Sequence, residues 1–326
     1  MKGKVLVTGA SGFAGSHLAK LLVSKGYDVR VLVRKTSSLD YIRDFLDKVE
    51  VVHGDITSES DLADAIEGCD IVCHVAGALG HGVSRELLWA TNSMAVGLVA
   101  KVCLSKNVKH LVHCSTAYVL GLPSARFALE DSVAKPETEY ELSKADGEKK
   151  VLEYANKGLN VTVLRPPPIV GPGDTKNLLK LFKMASKGVF PLVGSGDNLF
   201  QVVYVENLSH AFEFVLGNEQ AYGRVFHVAD EATSLKCFVE MLSNALGKKV
   251  YFICFPVFLM ACVAEISELI SRFGFSLPMT KSRLRMMTKD YSYSTEALKG
   301  LSWSSKKGLQ EGLVETVKWY QNKGLI

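Results

Sequence analysis

Short β-branched runs alternate with amphipathic stretches along the first half of the chain. Val5–Val7 suits a strand covered on both faces, and Leu18, Leu21 and Leu22 follow at helical spacing. Further strands are predicted at Val29–Val33, Val49–His53, Asp70–Val75, His110–His113 and Val161–Leu164, with a long helix from about Ser84 to Ser105 and another carrying Tyr140. This order predicts an α/β fold, a doubly wound parallel sheet of the Rossmann type over residues 1–170. Beyond it the rhythm changes. An amphipathic helix at Leu178–Lys187, a turn at Gly194–Asn198, a strand at Phe200–Val205 and a helix at Asn207–Leu216 compose a smaller C-terminal α/β substrate lobe over 171–326, and Arg224–Val228 returns to the main sheet. Val250–Ala264 is strongly apolar but shorter than the ~20 residues of a membrane span, and Pro256 interrupts it. Its leading reading is a buried helix lining an apolar substrate pocket. A surface touching membrane peripherally, and plain core, are the alternatives.

The junction of the first strand and helix is where a ligand signal is concentrated. Gly9, Gly12 and Gly15 fall three apart between the two. Gly9 can take a backbone angle closed to other residues. Gly12 can let a pyrophosphate approach the main chain, and Gly15 lets the helix lie close on the strand. The helix start directs free N–H groups and a partial positive charge at the phosphates. The cofactor-binding set predicted here is Gly9, Ser11, Gly12, Phe13, Ala14 and Gly15.

Downstream strand ends extend that set. Arg34 stands where an acidic residue would accept hydrogen bonds from an adenosine ribose. A guanidinium cannot accept them but can pair with a 2′-phosphate, which favours NADP(H) over NAD(H); stacking on the adenine is the alternative. Asp55, with Ile56 beside it, can accept from the adenine amino group or cap the helix announced by Thr57, Ser58 and Asp61. Val75, Ala76 and Gly77 leave room beside the sheet's C-terminal edge, and Pro167 and Ile169, in the rigid stretch after Arg165, can wall the nicotinamide. Asn92, in mid-helix, is expected to be solvated or packed locally.

Tyr140 and Lys144 lie four apart on one helix face, and of the 11 tyrosines only Tyr140 has Lys at that distance. A cation there is expected to lower the tyrosine pKa.

Composition narrows the picture. The chain has 326 residues, 48% hydrophobic and 22% charged, with a net charge of +4 and no long basic run, which speaks against nucleic acid. Seven cysteines, an odd number without a Cys-x-x-Cys pair, and a first strand that starts at once lead to an expectation of reduced thiols in a cytoplasmic protein. The eight histidines offer no metal spacing, and His110 and His113 point to opposite faces of their strand.

With these residues in place the chain resembles the extended short-chain dehydrogenase/reductase family, of the NAD-dependent epimerase/dehydratase type, over nearly its whole length. The resemblance is carried by Thr8-Gly9-x-x-Gly12-Phe13-x-Gly15, Gly54-Asp55-Ile56, Ala76 to Ala78, Asn92, Ser115-Thr116, Tyr140-x-x-x-Lys144 and Arg165-Pro166. It implies hydride transfer with Thr116, Tyr140 and Lys144 as catalytic residues. Tyr140 would exchange the proton, Lys144 would hold the nicotinamide ribose, and Thr116 would bond the substrate oxygen, with Ser115 as the alternative partner. The 3β-hydroxysteroid and sterol dehydrogenases, with dihydroflavonol reductases nearby, are the most similar branch, on Gly171-Pro172-Gly173-Asp174 and the stretch from Gly194 to Asn207. Sugar-nucleotide epimerases usually place Arg-Asp where this chain has Phe200-Gln201. The implied function is an NAD(P)-dependent oxidoreductase interconverting a secondary alcohol and a ketone on a sterol-like or β-hydroxy/β-keto substrate. A sugar-nucleotide epimerase or reductase, and a non-catalytic NAD(P)-binding regulator, are the alternatives. The resemblance also implies a homodimer through the helices near Asn92 and Tyr140.

Overall fold

The structure, a computed structural model, describes residues 2–79, 82–123, 125–271 and 280–326. Strands β1 (Lys2–Thr8), β2 (Tyr27–Val33) and β3 (Glu50–His53) alternate with helices α1 (Phe13–Ser24) and α2 (Glu59–Ile66). Then come β4 (Ile71–His74), α3 (Arg85–Trp89), α4 (Ala95–Ser105), β5 (His110–Cys114), α5 (Glu139–Ala155) and β6 (Val161–Arg165). With β11 (Arg224–His227) they build one parallel seven-stranded sheet in the order β11-β6-β5-β4-β1-β2-β3. The chain winds outward from β1 to β3, then jumps to β4 on the other side of β1. That reversal opens a crevice at the C-terminal ends of β1 and β4, the place where such sheets bind ligands.

Both faces of the sheet are covered, so its strands are apolar throughout rather than alternating. Val5, Val7, Cys73, Val112 and Leu164 pack to one side with Leu18 and Leu22 of α1. Leu6, Val72, Leu111, Val161 and Val163 pack to the other with Val99 and Cys103 of α4 and Val151 of α5. Each such buried Val or Leu contributes roughly 1.5–3 kcal/mol. Cys69, Cys73, Cys103 and Cys114 lie buried as free thiols within or beside these cores.

The remaining elements are β7 (Ile169–Val170), α6 (Leu179–Ser186), β8 (Val189–Val193), β9 (Leu199–Phe200), β10 (Val203–Tyr204), α7 (Val205–Val215), β12 (Thr233–Ser234) and α8 (Leu235–Leu246). Most of them meet in a third cluster, while Leu208, Phe212 and Val215 of α7 join the first. Then come β13 (Tyr251–Phe255), α9 (Val257–Ser271), α10 (Lys281–Thr288), α11 (Glu296–Lys299) and α12 (Leu309–Asn322).

Three expectations change here. The strand expected at Phe200–Val205 is two short strands, because the chain switches partners: β9 pairs antiparallel with β12, and β10 pairs parallel with β7. Val250–Ala264 is not one buried helix. Tyr251–Phe255 runs parallel to β8, Pro256 ends the strand, and α9 begins with Phe258 72% exposed. The helix after Ser84 carries a π-turn at Ala90–Met94 between α3 and α4.

Candidate active site

The glycine turn has the geometry expected of it. Gly9 takes φ +76°, and a Cβ there would sit 2.7 Å from the Ala76 amide nitrogen. A Cβ on Gly15 would lie 2.3 Å from the Gly9 carbonyl oxygen, so only glycine lets α1 pack this close to β1. Gly12 is the N-cap of α1, with no side-chain cap and no acidic residue in the first turn. The amides of Phe13 and Ala14 have no earlier helical carbonyl to bond. An anion-binding helix start therefore opens beside the crevice, as a dinucleotide pyrophosphate requires. Arg34 stands exposed just past β2.

Phe13 serves packing as well. A Cβ on Gly173 would meet its ring at 3.2 Å and the Tyr41 ring at 3.0 Å. Tyr41 donates to the Gly173 carbonyl at 2.8 Å, and a His17 ring nitrogen lies 2.8 Å from the Pro172 carbonyl oxygen. Residues 171–173 are thus pinned against the start of α1, with Pro167 buried and Ile169 half-buried just before them. Asp55 accepts from the Thr57 amide at 2.9 Å and the Thr57 hydroxyl at 2.8 Å. Those bonds, with Arg34 nearby, hold its carboxyl below the usual range. It is not the helix cap; Ser58 is. Half-buried Ile56 packs beside it on the core below α2.

Val75, Ala76 and Gly77 leave β4 and approach α5. The Ala76 amide donates to the Thr8 hydroxyl at 3.3 Å. Asn92 is not solvated but fully buried. Its amide group clamps Ala78, accepting from the Ala78 N–H at 2.8 Å and donating to the Ala78 carbonyl at 3.0 Å, and it reaches Ser143 at 3.2 Å. A Cβ on Gly77 would lie 3.3 Å from Asn92 Oδ1 and 4.0 Å from Lys144 Nζ. The cofactor loop and α5 are therefore in direct register. The π-turn that aims Asn92 inward has no signal in residue type or spacing.

Thr138 caps α5 in a reciprocal box with Glu141, which fixes where the helix starts and so which residues face inward. Tyr140 and Lys144 both point to the end of β5. Lys144 is buried, donates to the Cys114 carbonyl at 2.7 Å, and has its pKa lowered by burial. The Tyr140 phenol lies beside the Thr116 hydroxyl. Burial pushes it up to about 12, and the Thr116 contact opposes that rise. The expected lowering by Lys144 is not seen: the ammonium is turned to a backbone carbonyl, and desolvation dominates.

Ser115 and Thr116 part company. Ser115 donates to the buried Glu148 carboxylate at 2.6 Å. The Thr116 hydroxyl, beside the Tyr140 phenol, makes a 3.4 Å contact with the Pro166 carbonyl and accepts from the Tyr118 amide at 3.3 Å. Of the two hydroxyls, that of Thr116 makes the longer, weaker contacts.

Several residues around the site escape sequence reasoning. Tyr118 stands near Tyr140 and meets Tyr291 edge-to-face at 5.8 Å. His74 and His113 stack at 5.4 Å beneath Lys144, both kept neutral by burial. Glu148 and Arg165 form a buried ion pair next to Ser115. Alternation along Tyr291-Ser292-Tyr293 was the one available hint, since it marks a strand-like edge. Among the described residues no group of histidine, cysteine and acidic side chains could hold a metal ion.

Comparison with known proteins places this geometry. The model of the NAD dependent epimerase/dehydratase family matches residues 5–229. The 3beta-hydroxysteroid-dehydrogenase/decarboxylase isoform 2 of Arabidopsis thaliana is 28% identical over 96% of this chain, which spans 61% of that protein's length. The UDP-glucose 4-epimerase of Vibrio cholerae is 27% identical over 98% of this chain and 95% of its own. The crystal structure of gox2253 superposes with a TM-score of 0.85 at 25% identity, covering 100% of both chains.

Proposed function

The chain belongs to the NAD-dependent epimerase/dehydratase family, as an NAD(P)-binding oxidoreductase, and we propose that it interconverts a secondary alcohol and a ketone on a fairly apolar substrate. The observation that carries this reading is the Thr116 hydroxyl set beside the Tyr140 phenol at the end of β5, with Lys144 one turn on and against the cofactor loop. When bound, the nicotinamide dinucleotide supplies or accepts the hydride. Gly9, Ser11, Gly12, Phe13, Ala14 and Gly15 would hold its pyrophosphate, and Val75, Ala76 and Gly77 would flank it at the crevice.

In the reducing direction Thr116 holds the carbonyl oxygen, and Tyr140 passes its phenolic proton to that oxygen as the carbon gains hydride. With its pKa up at about 12 the phenol keeps that proton at neutral pH. Oxidation runs the same path backward: the phenolate takes the hydroxyl proton as the hydride leaves. Lys144, held by the Cys114 carbonyl and facing the Gly77 loop, would hold the nicotinamide ribose.

An apolar substrate is supported by the aromatic surroundings and by two side chains that face elsewhere. Phe200 packs on Phe238 at 5.0 Å. Gln201 is buried, donating to the Asp230 carbonyl at 2.8 Å and accepting from the Tyr293 amide at 2.7 Å. Neither offers the arginine that epimerases usually place there. The 3beta-hydroxysteroid relative from Arabidopsis supports the sterol-like end of this range. Exposed Arg34 supports NADP(H) over NAD(H).

The test is a panel of sterol ketones and long-chain β-keto compounds offered with NADPH, followed by cofactor absorbance. Tyr140→Phe is expected to lower turnover about 10²–10⁴-fold while NADPH affinity stays the same. Unchanged turnover would remove Tyr140 from acid–base work. Tight calorimetric binding of UDP-glucose with no ketone turned over would replace this reading by the epimerase one.

A further inference from the structure

We propose that the face built by α6, the β8–β13 ladder and the start of α9 docks the protein on an anionic lipid bilayer. The two-stranded ladder has one covered side and one open side. Phe190 and Leu192 pack inward on the third core cluster. On the other side Val189 stands opposite Tyr251 and Pro191 opposite Ile253, with Tyr251 60% and Ile253 50% exposed. The chain then turns at Pro256, and α9 starts with Val257 and Phe258 facing solvent. Val257 lies 3.1 Å from the position of a Cβ on Gly194, at the end of β8, so the apolar surface runs on from the ladder into the helix. Patches of exposed large apolar side chains rimmed by charge mark contact sites.

The charge around this surface is of one sign. Residues 175–196 hold four lysines and residues 247–264 hold two, and neither stretch contains an acidic residue. Lys180, Lys183, Met184 and Lys187 fall at i, i+3, i+4 and i+7, and all are exposed on one stripe of α6. Lys248 reaches the Ser186 carbonyl at 2.9 Å, which ties its strand to the end of that stripe. Lys249 lies over the Tyr251 ring at 5.0 Å. At the margins are Asp197, just after the turn, and Glu265, which pairs with Lys281 at 2.8 Å. An apolar centre with a lysine rim matches the acyl boundary and the phosphates of an anionic leaflet. The apolar start of α9 meets its first carboxylates at Glu265 and Glu268, well short of the ~20 residues needed to cross, so the contact is with one leaflet.

The test is co-sedimentation of the full chain with phosphatidylcholine vesicles, with and without phosphatidylserine, at low and high salt. The expected result is binding to the phosphatidylserine vesicles that weakens with salt. Phe258→Asp, and Lys248→Glu with Lys249→Glu, should each lower the partition coefficient about tenfold or more while NADPH affinity is unchanged. Ile253→Asp serves as a second apolar variant should Phe258→Asp fail to fold. Sedimentation with neither vesicle, equal binding to both, or variants that bind like the wild type would overturn the proposal. So would a dimer that Phe258→Asp dissociates in a protein that ignores vesicles, since the occupant would then be a second copy.

Discussion

Exchanging the roles of two adjacent hydroxyls is the sharpest test of the site. Ser115 and Thr116 differ by one residue but face different partners. Ser115 Oγ donates to Glu148 Oε2 at 2.6 Å, and Arg165 Nε reaches the same oxygen at 3.0 Å. Ser115→Ala removes one hydrogen bond to a buried carboxylate that keeps its guanidinium. The expected cost is about 1.5–3 kcal/mol of folding stability, with kcat nearly unchanged. Thr116→Val instead removes the hydroxyl proposed to meet the substrate oxygen. Loss of one such donor costs roughly 10²–10³ in kcat, or ~2.7–4 kcal/mol. Thr116 also caps the short turn at Ala117–Leu120, so Thr116→Val gives up about 1 kcal/mol of stability as well. Thr116→Ser keeps the hydroxyl and should recover most of the activity. The assay pairs steady-state kinetics, on whichever ketone the wild type reduces, with urea unfolding of each variant. If Ser115→Ala lost turnover as Thr116→Val does, and without loss of stability, the substrate oxygen would belong to Ser115 and the reasoning would fail.

Arg34→Glu is expected to weaken NADPH relative to NADH by about 10–100-fold, the worth of one charge-assisted bond to a 2′-phosphate, measured by fluorescence titration of both cofactors; an unchanged ratio would leave Arg34 as a stacking surface. Acid should destabilise the fold. Burial lowers His74 and His227 to about 3 and His110 to about 4, and His113 also lies well below its ordinary value. Below pH ~6.5 the unfolded chain takes up protons that the native histidines refuse, so stability falls with pH at up to about 1.4 kcal/mol per pH unit for each. Asp230 runs the other way, since burial raises it to about 6 and its native form binds a proton before the unfolded one does; it offsets one histidine. His17 and His210 are lowered in the same sense and Asp174 is raised like Asp230, so the lowered histidines outnumber the raised carboxyls. Urea midpoints should drop steadily from about pH 6 to 4.5, and a flat profile would contradict the burial of these rings.

What could be read from the sequence was what local rules dictate. Gly9 and Gly15 stand out because one needs a backbone angle and the other a contact that a side chain forbids. Tyr140 and Lys144 announce theirs because helical spacing alone sets them on one face. What could not be read depends on partners distant in the chain. Val189–Val193 lacks alternation, and Tyr251–Phe255 is apolar on both faces, so periodicity is silent on whether either is strand or helix; their pairing across about sixty residues decides it. His17 and Tyr41 look like ordinary surface residues of the first domain until Pro172 and Gly173 arrive above them. The direction of the Tyr140 shift was misread for the same reason: spacing shows the nearby cation but not how deeply both groups are buried.

The residues proposed to do the chemistry lie on the rim of a buried polar network, and its position explains why α5 presents Tyr140 and Lys144 where it does. Glu148, one turn beyond Lys144, takes Arg165 from the end of β6 through both carboxylate oxygens and Ser115 from just past β5. Arg165 continues to the Glu130 carbonyl at 2.7 Å, and the Glu130 carboxylate accepts the His227 amide of β11 at 3.0 Å. Three neighbouring strands and the loop before α5 are thereby tied to one side chain of that helix. A buried pair of this kind gives little net stability, since desolvating both charges offsets their attraction. Its directional bonds nevertheless set the rotation of α5 about its own axis, because a turn of the helix would break all of them together. The phenol and the ammonium inherit that phase from Glu148. Packing acts to the same end: Val151 is buried in the second core cluster, a Cβ on Gly147 would clash with the Asn92 carbonyl, and Ser143 meets the Asn92 side chain at 3.2 Å.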